Sequence, residues 1–277
     1  MTQKKRTKMN SVKKPNRLLI AVAGIVLVLL LILLLGGKKE NGADPQEIQK
    51  SLAFLEREAQ KDPNAVRQYR QDLQNRRLEA QKDELLAKLE SGEIDPFTIL
   101  QDVVILGDSR VMGYSLFGFL PEEQVLSGNG HKIFHIPDWY DTLKAKQPQY
   151  VFLCYGVNDC AIQYWSSPEE HSAEYMEYIR ELKQMLPNST IVVSSILPVE
   201  DFTFADYPTW EDLPEWNATI KATCKEEGVL FADCDYLYDE YSSYWFEDGF
   251  HFDAEVYPHW ISRLIITALY GDLLEET

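Results

Sequence analysis

Val103-Val104-Ile105-Leu106-Gly107-Asp108-Ser109-Arg110 decides the reading of this chain. Four successive apolar residues, three of them β-branched, closed by a glycine and an acid, read as a strand buried on both faces, as parallel strands are. Tyr150–Tyr155, Thr190–Leu197 and Val229–Ala232 repeat that character. Between the second and third runs, Glu169 to Met185 carries Tyr175, Tyr178, Ile179 and Leu182 at helical spacing. A last helix is expected from Glu255 to Tyr270, with Ile261, Leu264, Ile265, Ala268 and Leu269 inward and Gly271 placed to end it. Strands alternating with helices predict a three-layer α/β/α domain over residues 98–277. Its flavodoxin-like, mostly parallel sheet should have about five strands, with function at their carboxyl ends.

Ser109 is expected just past the first strand's end, near a helix N-terminus, where its own N–H and the helix dipole face developing negative charge. A serine hydroxyl is a weak nucleophile without a base. Asp248-Gly249-Phe250-His251, near the other end of the chain, can supply one. Asp248 lies one turn before His251 and can hold the imidazole in the required tautomer. Gly156-Val157-Asn158-Asp159 follows the second strand and offers the Asn158 side-chain amide. The glycine pair Gly128 and Gly130 offers a backbone N–H that can approach an oxyanion closely. Each motif alone is a common turn or cap. Their order and their positions at strand ends make a complete set for acyl transfer through a serine ester.

From about Val103 to Phe252 the chain resembles the SGNH, or GDSL-type, hydrolase superfamily. Gly107-Asp108-Ser109 matches its nucleophile block, Gly156-Val157-Asn158-Asp159 its asparagine block and Asp248-Gly249-Phe250-His251 its Asp-x-x-His block. Gly128 aligns with the middle glycine block, with Gly130 as the alternative. The resemblance implies that Ser109, Asp248 and His251 are catalytic and that the Ser109 N–H, Gly128 and Asn158 form an oxyanion hole. The namesake motif has leucine where this chain has Arg110, which bears on substrate preference. Arg110 either meets a substrate anion or pairs with an acidic neighbour, and Asp108 is expected to hydrogen-bond its own turn.

His131, His135, His171 and His259 are expected on the surface or in packing. Trp139, Tyr140, Tyr164, Trp165, Tyr207, Trp210, Trp216, Tyr244 and Trp245 are expected in loops over the strand ends. Flat apolar faces with polar edges suit sugar rings, which makes Tyr164, Trp165 and Trp245 candidates for substrate contact; ordinary loop packing is the competing role. Asn188-Ser189-Thr190 and Asn217-Ala218-Thr219 have the form of glycosylation acceptors. Cys154, Cys160, Cys224 and Cys234 match no zinc spacing and are too few for a disulfide scaffold, so neither metal nor cofactor is expected. Cys224 and Cys234 could pair if the chain doubled back.

The first 17 residues hold seven basic residues and no acid, and Leu18 to Leu35 is then continuously apolar or glycine. This predicts a signal anchor over 18–36, with the basic end cytoplasmic and the rest outside the cell. A cleaved signal peptide fits less well, because Lys38-Lys39 follows Gly36-Gly37 directly. Residues 37–97 read as a helical stalk or linker, beginning at Asp44-Pro45 and interrupted at Asp62-Pro63-Asn64. Its thin apolar face comprises Leu73, Leu78, Leu85, Leu86 and Leu89. The stalk could dimerise, but no heptad runs through it and a solvated spacer is favoured.

Residues 98–277 carry nine lysines and arginines against thirty-one acids, in a chain of net charge −17. That excludes nucleic acid as a partner. Three functions are expected in descending order. The first is a membrane-anchored extracellular serine esterase that removes O-acyl groups, in the first instance O-acetyl, from a carbohydrate or cell-envelope glycan. The second is an O-acyltransferase that receives its acyl group from a membrane partner. The third is a surface binding domain without catalysis.

Overall fold

The computed structural model describes residues 46, 48–53 and 63–274. The expected basic segment 1–17 and membrane anchor 18–36 lie outside them. Among the described residues no helix is long and apolar enough to cross a membrane.

The chain divides into two units, residues 1–67 and 68–277. In the first, residues 46 and 48–53 are helical. Helix α1, Pro63–Glu90, begins on the proline whose fixed φ suits a first turn. Along α1 burial rises toward the C-terminus: Leu73 is exposed, Leu78, Leu85 and Leu86 are half-buried, and Leu89 is buried.

The second unit is built on five parallel strands in the order β2-β1-β3-β4-β5. They are β1 Val103–Gly107, β2 Val125–Ser127, β3 Tyr150–Cys154, β4 Thr190–Ser194 and β5 Leu230–Ala232. The order reverses between β1 and β3, and in such sheets the crevice beyond the carboxyl ends at that point is where ligands bind. Side chains alternate across β1, β3 and β4. Val104, Leu106, Val151, Leu153, Ile191 and Val193 share one core with α3 (Tyr140–Lys146), α5 (Pro168–Met185) and α6 (Leu213–Glu226). Val103, Ile105, Phe152 and Val192 share the other with α2 (Ser109–Leu116), α7 (Tyr236–Tyr241) and α8 (Val256–Leu274). Burial on both faces is why these strands read as unbroken apolar runs.

Three elements depart from the sequence reading. β2 is only three residues long, too short to register as a strand by pattern. β4 stops at Ser194 rather than at Leu197. Beyond it the Asn217 side chain takes over, accepting the Ile196 N–H at 2.7 Å and donating to the Ile196 carbonyl at 2.9 Å. That same Asn217 is buried, which removes it as a glycosylation acceptor. Helix α8 runs through Gly271 to Leu274. Gly271 lies where a Cβ would come within 2.9 Å of Leu230, so it serves close helix–sheet packing rather than a stop.

Candidate active site

Strand register assembles the site. Gly107 is paired with Ser127 on one side and Cys154 on the other. Gly128, Asp108-Ser109 and Gly156-Val157-Asn158 therefore emerge next to one another from β2, β1 and β3. Asp108 caps α2, its carboxylate accepting the Arg110 N–H at 2.9 Å, which turns the chain sharply and leaves Ser109 as the first helical residue.

The loop between α7 and α8 brings the base. Trp245 and Phe252 form an antiparallel bridge, and Phe246 N–H donates to the His251 carbonyl at 2.8 Å. Gly249, at φ +78°, closes the turn inside that loop, a conformation glycine adopts without strain. The Glu200 N–H docks the turn through the Gly249 carbonyl at 2.7 Å.

The structure brings Ser109, His251 and Asp248 into one chain of contacts. His251 Nε2 lies 2.8 Å from Ser109 Oγ, and His251 Nδ1 lies 2.7 Å from Asp248 Oδ2. A carboxylate only accepts, so Nδ1 carries the proton and Nε2 is left to accept the serine hydroxyl's. Asp248 Oδ1 accepts the N–H groups of His251 at 2.9 Å and Phe250 at 3.1 Å. Partial burial pushes the Asp248 carboxyl up, but these donors outweigh it and hold the group below its ordinary value, so it stays ionised.

Gly128 sits directly after β2, opposite Asp108. A Cβ there would lie 2.2 Å from the His131 imidazole, so any other residue would displace that ring. Gly130 lies farther out, in a left-handed turn, and its carbonyl accepts Lys132 Nζ at 2.7 Å. Asn158, half-buried in α4 (Val157–Ala161), donates to the His131 carbonyl at 3.2 Å; its second amide hydrogen can still serve an oxyanion.

Sequence reasoning missed how this loop is held. Asp159, fully buried, accepts the Ile133 N–H at 2.9 Å, and His171 Nε2 stands 3.4 Å from the same oxygen. Asn158 and Asp159 thus tie α4 to the 128–133 loop at two points. Trp210 Nε1 donates to the Val157 carbonyl at 2.7 Å and secures the same helix. An acid directly after the asparagine was the signal that could have pointed to the tie.

Other candidates are not brought to the site. Arg110 is 3% exposed; it donates to the Leu197 carbonyl at 2.8 Å and stands 3.8 Å from Asp108, so it packs inside rather than meeting substrate. Trp165 and Trp245 are buried, their indole N–H groups donating to Glu174 and to the Pro198 carbonyl. Packing claims them. Tyr164 is 66% exposed, near Phe134 and Trp165. The rings of His131 and His135 are stacked, and His259 stacks on Tyr241. All four cysteines are buried thiols, and burial pushes Cys160 and Cys234 up to about 12.

A serine hydroxyl in line with a histidine and an ionised aspartate, at the strand ends of an α/β sheet, defines a serine esterase of the acyl-enzyme type. Residues 121–258 match the model of the GDSL-like lipase/acylhydrolase family. That span holds Gly128, Asn158, Asp248 and His251 and begins after Ser109, which enters the site through the 2.8 Å contact with His251. Among solved structures, the chain is similar to a catalytic mutant of an acetylxylan esterase from Geobacillus stearothermophilus (16% identity, TM-score 0.44, 62% of this chain and 93% of that one). It is likewise similar to a GDSL-like lipase from Bacteroides thetaiotaomicron (14% identity, TM-score 0.43, 69% of this chain and all of that one). No curated protein matches the chain.

Proposed function

We propose that this enzyme is anchored in the cell membrane by residues 18–36 and removes O-acyl groups from an extracellular carbohydrate. The Ser109–His251–Asp248 alignment carries the catalytic part of the reading. Ser109 Oγ attacks the ester carbonyl while His251 Nε2 takes its proton, and Asp248 stabilises the imidazolium. The carbonyl oxygen becomes an oxyanion facing the Ser109 N–H, the Gly128 N–H and Asn158 Nδ2. Collapse breaks the ester C–O bond, and the alcohol leaves with the proton from His251. Water, deprotonated by His251, then attacks the acyl-serine; the carboxylic acid departs and Ser109 Oγ regains its proton.

The basic flank and apolar run at the N-terminus support the anchored, outward-facing placement. The acidic catalytic unit favours a neutral glycan over a polyanion.

The test is acid release from p-nitrophenyl acetate and from an O-acetylated oligosaccharide by the full chain in lipid nanodiscs, beside Ser109→Ala. Wild type should turn over both, and the variant should lose about 10⁴-fold or more. Full activity in Ser109→Ala would overturn the mechanism, and turnover of the small ester alone would overturn the glycan. Transferase action would appear as acyl product on added glycan in excess of free acid.

A further inference from the structure

The two sides of the Ser109 hydroxyl differ in chemistry. Toward β2 and α4 lie the Gly128 backbone, Asn158, His131 and Asp159, all polar. On the other side Ser109 and His251 open onto a groove of about 320 Å³ walled mainly by Met112, Leu116, Phe117, Phe246, Phe252 and Tyr257, with Asn129 as a further polar lining residue. Leu116 is 74% exposed, Phe117 40% and Phe246 44%. Met112 and Leu116 lie on helix α2 and Phe117 just past it; the Phe117 ring packs near Phe119 and Tyr257, while Leu116 is left in water. Contiguous apolar surface left in water marks a binding site more often than an accident.

We propose that this groove seats the acyl chain of the substrate, and that the preferred acyl group is longer than acetyl. The inference rests on the ester-hydrolase reading above. A sugar alcohol is hydroxylated throughout and would lose hydrogen bonds to water against this wall, so the apolar part of a glycan ester is its acyl chain. The wall also begins at the nucleophile itself: Met112, Leu116 and Phe117 follow Ser109 along and just past the same helix. From Ser109 to Leu116 the helix rises about 10 Å, roughly the extended span of an eight- to nine-carbon chain. Acetyl occupies only the mouth of the groove and is still turned over.

The experiment compares kcat/KM of the full chain in nanodiscs for p-nitrophenyl acetate, butyrate and hexanoate, and for a parallel series of acetates of lengthening alkyl alcohols. Each added acyl methylene should raise kcat/KM about two- to fourfold, given the burial of one CH₂ in a partly open groove, so hexanoate should exceed acetate at least about tenfold. Leu116→Asp should lower the hexanoate-to-acetate ratio at least about tenfold; a ratio within one protein is unaffected by the fraction folded. Acetate turned over with no rise along the acyl series would overturn the groove assignment and leave the esterase standing. A rise along the alcohol series alone would give the groove to the leaving group and overturn the proposal. No turnover of any ester would overturn the hydrolase reading, and this inference with it.

Discussion

Asp248–His251 and Asp159–His171 are the same two residue types in opposite surroundings: the first pair is hydrogen-bonded at 2.7 Å, the second stands 3.4 Å apart with no hydrogen bond from the imidazole. In the first pair the histidine side chain is 29% exposed and the aspartate 41%, and the far ring nitrogen meets a serine hydroxyl. In the second both side chains are fully buried, and His171 is walled by Trp165, Tyr175 and Trp216. The aspartate spends one oxygen on the Ile133 N–H. An imidazole can shuttle protons only where substrate and water reach it. Enclosed in aromatic rings, the aspartate instead ties the 128–133 loop through the Ile133 N–H, with His171 packed beside it. Access and the third partner separate the two roles, not residue identity.

The largest expected effect breaks the exposed pair. Asp248→Asn should lower kcat about 10³–10⁴-fold, because an amide can fix the wrong tautomer and does not stabilise the imidazolium. Steady-state kinetics on a small ester checks this, and a loss under tenfold would mean that another group orients His251. Next, Asn158→Ala should cost about 10²–10³ in kcat with little change in KM, as loss of a donor used in the transition state does. A KM-only effect would assign Asn158 to ground-state binding.

The buried pair should answer differently. Asp159→Ala leaves the Ile133 N–H without its acceptor and should cost about 2 kcal/mol, lowering Tm by about 4–8 °C. An unchanged melting curve with kcat gone would move Asp159 into the chemistry and erase the contrast. The smallest effect is in pH. Asp248 has its folded-state value depressed, so its contribution to stability is present above the unfolded value near pH 4 and is lost as pH falls through the folded value. The urea midpoints of wild type and Asp248→Asn should therefore differ at pH 6, and the gap should narrow as pH falls through the folded value. A gap that persists or widens in acid would reverse the sign assigned here.

Strands β1 and β3 were legible because burial on both faces leaves an unbroken apolar run. β2 was not, since three residues carry no period. β4 was over-read because Ser195-Ile196-Leu197 continues the apolar pattern, while Asn217, more than twenty residues away in sequence, removes Ile196 from the ladder. The site blocks were legible from turn residues at strand ends. Arg110 was ambiguous, since the same side chain could meet a substrate anion or a buried carboxylate; only packing shows it against Asp108 and the Leu197 carbonyl. Trp165 and Trp245 have the composition of sugar-stacking residues and the burial of core ones. The acyl groove left one trace in the sequence: Met112, Leu116 and Phe117 put apolar groups along and just past the helix that Ser109 begins.

By itself the sequence determined what local spacing can encode: parallel strands from apolar runs, a serine at a strand end, an aspartate one turn before a histidine. Backbone periodicity and hydrogen-bonding capacity act over a few residues, so these features need no knowledge of the rest of the chain. Only the tertiary structure decided that His251 reaches across 142 residues to Ser109, and that His171 faces Asp159 inside the core. It alone also fixed which flank of the nucleophile is apolar. Those outcomes depend on how layers pack and on which side chains that packing leaves open to water.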